Sequence, residues 1–139
     1  MKKIEYFINR IAFTMSQIES IVFKMPYMTE KYCVIFSHQL LNILLFSFLL
    51  GIMLIILAFL RKSGMSVNEN IFVVLTITLS AFMSFGISVY CQEYKGKYRM
   101  YYEQFEHENK EGKLGWIAIT IITFLLSFSV LILGCKMFF

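Results

Sequence analysis

Apolar positions in this chain gather into three long runs, with polar segments between them. The first run, Leu40 to Leu60, is 21 residues long, and no charged side chain lies between Lys31 and Arg61. At about 1.5 Å per residue, about 20 residues cross the roughly 30 Å of hydrocarbon in a bilayer. The second run spans Ile71 to Tyr90, between Glu69 and Glu93. The third spans Trp116 to Cys135, between Lys113 and Lys136. An isolated strand would leave its backbone polar groups unpaired in lipid, so each run predicts a transmembrane helix.

The remaining segments carry a helical period. Ile4, Phe7, Ile8, Ile11, Met15, Ile18, Ile21, Val22 and Met25 recur at the spacing of one helix face, and Lys3, Asn9, Ser16, Gln17, Ser20 and Lys24 fall away from it. This predicts an amphipathic N-terminal helix over 3–25 that Pro26 limits. It suits either an anionic membrane surface or packing on protein. A fourth span here would carry charged side chains through the bilayer core, at about 3 kcal/mol each. In 91–111, Tyr94, Tyr98, Tyr101 and Phe105 share a face. The second span is therefore expected to continue, with no break except Gly96, as a charged, aromatic helix, with Gly112 and Gly115 turning the chain back.

Charge sets the orientation. Ten Lys and Arg (Lys2, Lys3, Arg10, Lys24, Lys31, Lys95, Lys97, Arg99, Lys110 and Lys113) lie on one side of a three-span topology, against Arg61, Lys62 and Lys136 on the other. Positive charge favours the cytoplasmic side. The expected layout is a cytoplasmic N-terminal segment 1–37, transmembrane helices 38–61, 70–91 and 115–135, an external loop 62–69, a cytoplasmic helix and turn 92–114, and an external C-terminus 136–139. This is an all-α integral membrane protein in the inner (plasma) membrane. Arg10, Gln17 and Glu19 interrupt the N-terminal apolar positions, so no signal peptide is expected, and Lys2 excludes myristoylation. Lys3, Arg10, Lys24 and Trp116 are the expected membrane-interface residues.

Composition agrees with the pattern: 58% of residues are apolar, 17% aromatic and 16% charged. Eighteen Ile, fifteen Phe and ten Lys, all written by A/T-rich codons, hint at a low-GC bacterial gene. The three cysteines, Cys33, Cys91 and Cys135, have no C-x-x-C spacing and are read as small apolar residues.

Candidate chemistry is sparse. Glu103, His107 and Glu111 would line up on a helix, as metal ligands can, but the segment is rich in Glu and reads as a solvated face. His38, beside Gln39 and Asn42 at the mouth of the first span, reads as a satisfied polar group. There is no phosphate loop, no nucleophile with a base and no midplane carboxylate pair, so neither an enzyme nor a cofactor is expected. Hydroxyl residues do recur in register. Thr76, Ser80, Ser84 and Ser88 repeat every four residues, and Thr120, Thr123 and Ser127 and the pair Ser47 and Gly51 add to them. Such stripes let helices pack closely, or they line a watery path in an oligomer. Tyr94, Tyr98, Tyr101 and Phe105 are the candidate cytoplasmic partner face.

VLTITLSAFMSFGISVYCQEYKGKYRMYYEQFEHENKE (Val74–Glu111), with its Ser-rich span and spaced tyrosines, resembles the SLATT group of bacterial two-transmembrane effectors. RIAFTMSQIESIVFKM (Arg10–Met25) is similar to that family's leading helix. The two stretches cover less than half of the chain, which adds a third span to the two-span core. The resemblance implies an effector of phage defence (abortive infection). Triggered by a cytoplasmic sensor partner, it would oligomerise and permeabilise the membrane. Its partners would be the bilayer, other copies and a regulator, with no direct nucleic-acid binding. Two alternatives carry equally little chemistry: an immunity protein that binds a pore-forming toxin, or an accessory subunit of a larger membrane complex.

Overall fold

A chain in hydrocarbon must satisfy its backbone hydrogen bonds internally, and helices do so within one segment. The computed structural model describes residues 2–23, 30–64, 69–93, 96–107 and 109–139, leaving out the side chains of 19–23, 30–34, 69, 70, 93 and 110. Among these residues every regular element is helical: α1 (Lys2–Phe23), α2 (Glu30–Lys62), α3 (Glu69–Ser88), a π-helical turn (Val89–Glu93), α4 (Lys97–Glu106) and α5 (Lys110–Phe138). Lys24, Met25, Pro26 and Tyr94, singled out in the sequence, lie outside the described residues.

Three stretches are long and apolar enough to cross a membrane: Ile35–Lys62, Ile71–Gln92 and Glu111–Phe138, of 28, 22 and 28 residues. Their outward faces are apolar. Phe82, Phe85, Val74 and Leu79 on α3, and Ile122, Leu125 and Ile132 on α5, are all exposed, while the hydroxyls of Thr76, Ser80, Thr120 and Ser127 are buried. Apolar outside and hydroxyl inside suits lipid as the solvent. The protein is a multi-pass α-helical membrane protein.

Two expectations are corrected. The second span does not run on as one α-helix. It widens into the π turn ahead of Gly96, the one break expected in this stretch, whose φ of +64° is left-handed and open to glycine at little cost. Nor do Gly112 and Gly115 form the return turn; both lie inside α5. The turn comes earlier, at His107, and the Lys113 ammonium donates to the Glu106 carbonyl at 3.0 Å, satisfying the end of α4. Glu111 in the first turn of α5 then favours a helix start there.

The chain forms two compact units. One comprises 1–42 and 87–123, the other 43–86 and 124–139. In the second unit, Leu54, Leu57 and Phe138 make the apolar core, with Leu50, Ala58, Leu60, Val73 and Cys135 against it. There α2 and α5 approach closely at two glycines. A Cβ on Gly51 would stand 2.7 Å from the Val130 and Leu131 backbone, and one on Gly134 would stand 2.5 Å from the Gly51 carbonyl oxygen. Near this crossing Ser127 donates to the Leu44 carbonyl at 2.7 Å. Arg61 donates to the Phe138 carbonyl at 3.2 Å, placing a cation at the negative end of α5.

Candidate functional site

The hydroxyl stripe of α3 faces inward along its whole length. Thr76, Ser80, Ser84 and Ser88 are buried, and Ile77, Leu79, Phe82, Met83 and Phe85 between them are exposed. A period of four residues on a helix of 3.6 residues per turn keeps these positions on one slowly drifting face. Ser84 donates to the Ala81 carbonyl at 3.0 Å and Ser88 to Gln92 Oε1 at 3.0 Å. Ser80 is fully buried, and its hydroxyl has no hydrogen-bond partner among the described residues.

On α5 the predicted hydroxyls divide. Thr120 and Ser127 are buried, and Thr120 Oγ1 has no partner among the described residues. Thr123 is half-buried and turns its hydroxyl back to the Ile119 carbonyl at 2.7 Å. The inward face of α5 therefore runs through Thr120, Ser127 and Gly134, every seventh residue, rather than through Thr123. Ser47 of α2 is also buried and bonds its own Ile43 carbonyl at 2.7 Å.

The aromatic face of α4 is occupied by α1. Tyr101, Phe105 and Phe13 form one buried cluster with Tyr6 and Tyr102 against it. The Tyr6 ring meets Phe105 edge-on at 5.1 Å, and Phe13 meets Tyr102 at 5.0 Å. Tyr98 is half-buried, edge-on to Tyr102 at 5.9 Å and to His38 at 5.5 Å.

Arg10, expected at the membrane interface, is 1% exposed. Its guanidinium lies 4.5 Å from the centre of the Phe105 ring, 5.5 Å from Trp116 and 5.6 Å from Phe13. The faces of these rings attract a cation. Burial pushes the Arg10 pKa down, with Tyr6 acting in the opposite direction. Trp116 is half-buried in this aromatic setting, whereas Lys3 is exposed.

Sequence reasoning missed Asn9. It was assigned to the polar face of α1, yet it is 0% exposed. Asn9 Nδ2 donates to the Glu5 carbonyl at 2.8 Å and to the Cys91 carbonyl, 82 residues away, at 2.9 Å. Gln92 and Ser37 are likewise fully buried, and the Ser37 hydroxyl is 3.4 Å from that of Tyr102. Only the break in apolar period at Asn9-Arg10 could have signalled this dock. At its edge Lys97 Nζ lies 2.9 Å from Glu5 Oε1 and 4.2 Å from the centre of the Tyr90 ring. The hydrogen bond to Glu5 holds the Lys97 pKa above the ordinary lysine value.

Among the described residues no group of three His, Cys, Asp or Glu could hold a metal ion. Glu103, His107 and Glu111 are all exposed. No family model matches the chain, and no curated protein or solved structure matches it either.

Proposed function

We propose that this protein is a bacterial inner-membrane effector of the abortive-infection kind. Held by a cytoplasmic regulator until it is released or triggered, it assembles with other copies and permeabilises the membrane. Its N-terminus and the segment around α4 lie in the cytoplasm, where they meet the regulator, and no enzymatic step is involved. The observation that carries this reading is the buried hydroxyl seam, above all Ser80, sealed without a hydrogen-bond partner among the described residues in an apolar helix. A buried hydroxyl without a partner costs about 1–3 kcal/mol, and water would satisfy it. The packed form therefore holds a bias toward any arrangement in which the seam is wet. In an oligomer that arrangement is a polar path lined by Thr76, Ser80, Ser84 and Ser88.

The test is inducible expression in cells without any cognate regulator, read by a potential-sensitive dye. The expected result is depolarisation and arrested growth, reduced in the Ser80→Ala/Ser84→Ala variant. Unchanged potential and normal growth would sink the effector reading.

One alternative has its own support. The backbone contact at Gly51 and Gly134 is the kind that holds a helix pair shut. A permanently closed protein of this type suits toxin immunity. Its expression would be harmless and would protect cells against one pore-forming toxin.

A further inference from the structure

The carbonyls in the last turn of a helix have no partner inside it. The second membrane-length stretch ends in the π turn Val89–Glu93, and the carbonyl of Cys91 in that turn is met from outside by Asn9 of α1 at 2.9 Å. Both amide hydrogens of Asn9 are committed, one to Cys91 and one to the Glu5 carbonyl. Asn9 is fully buried beside Glu5, Ala12 and Phe13 on its helix face, and the carbonyl it caps offsets the cost of burying its amide.

Two further contacts lie beside it on α1. Four residues before Asn9, the Glu5 carboxylate grips Lys97 at 2.9 Å, at side-chain exposures of 12% and 19%. Next to Asn9, Arg10 sits 4.5 Å above the Phe105 ring of α4. One end of α1 therefore holds both sides of the Gly96 break, the π turn before it and α4 after it. The Cys91 side chain is shielded in the same place, at 4% exposure.

We propose that α1 is a latch on the end of the second membrane-length helix. Its release uncaps the Cys91 carbonyl, exposes the Cys91 thiol and frees the Gly96 break to change angle. That this release is also the step that opens the hydroxyl seam rests on the permeabilising function proposed above; the latch itself does not. The Asn9 and Glu5 contacts are polar, so they can be exchanged for water or for a partner's groups; full release of α1 also parts Phe13 from Tyr101 and Phe105.

The test uses the full-length protein in vesicles, alkylated with a maleimide and read peptide by peptide by mass spectrometry. Half-buried Cys135 serves as an internal reference. Lys97→Glu places two carboxylates together, Glu5→Lys two ammoniums, and the double exchange restores opposite charge. We expect each single variant, and Asn9→Ala, to speed Cys91 alkylation about tenfold while Cys135 is unchanged. The double exchange should return Cys91 to near the wild-type rate. Single variants that label Cys91 at the wild-type rate, a double exchange as fast as the singles, or an equal rise at Cys135 would each overturn the latch. Membrane potential measured on the same variants is a separate readout. Fast Cys91 labelling with unchanged potential keeps the latch and removes the permeabilising function.

Discussion

Ser80 is the residue at which the two meanings of the hydroxyl stripe separate. If the stripe only packs helices, Ser80→Ala removes a buried hydroxyl that has no hydrogen-bond partner among the described residues, and the packed form gains about 1 kcal/mol. If the stripe also becomes wet, the same change removes a group that water would hydrate, and permeabilisation falls. We expect both: a raised unfolding temperature in micelles together with weaker depolarisation. A higher unfolding temperature with undiminished depolarisation would leave Ser80 a packing residue alone. The period-four spacing of Thr76, Ser80, Ser84 and Ser88 was legible in the sequence, because a hydroxyl in an apolar run stands out. Asn9 and Arg10 were not legible. Their burial depends on a carbonyl, of Cys91, and on two rings, of Phe105 and Trp116, that lie far away along the chain.

At the scale of elements, the three membrane-length helices follow directly from run length, since lipid admits few other forms of backbone. Where those helices break and turn was less legible. Gly96 has the same composition signal as Gly112 and Gly115, yet only Gly96 adopts a positive φ. Gly112 and Gly115 lie inside α5, and Lys113 instead donates to the Glu106 carbonyl at the end of α4. Gly134 was passed over because a lone glycine in an apolar span is a weak sign, and only its approach to Gly51 gives it weight. A Cβ there meets backbone rather than a movable side chain. Gly134→Val is therefore expected to destabilise the α2–α5 pair by about 1–3 kcal/mol, seen as a lower unfolding temperature in micelles. A Gly134→Val protein as stable as wild type would mean that the two helices do not approach this closely.

For the whole molecule, the distribution of polarity decides its class. Large apolar side chains dominate the exposed faces of α3 and α5, Thr76, Ser80, Ser84, Ser88, Thr120 and Ser127 are buried, and every Lys, Arg and Glu lies outside the apolar runs. That arrangement offers lipid what it needs, and the proposed function rests on hydration of the buried seam. The most direct measurement is ion flux through vesicles reconstituted with the purified full-length chain over a range of protein-to-lipid ratios. Flux above that of protein-free vesicles is expected, rising more steeply than protein density as copies assemble, and falling in Ser80→Ala/Ser84→Ala. Flux equal to that of protein-free vesicles at every ratio would contradict a permeabilising role for this protein.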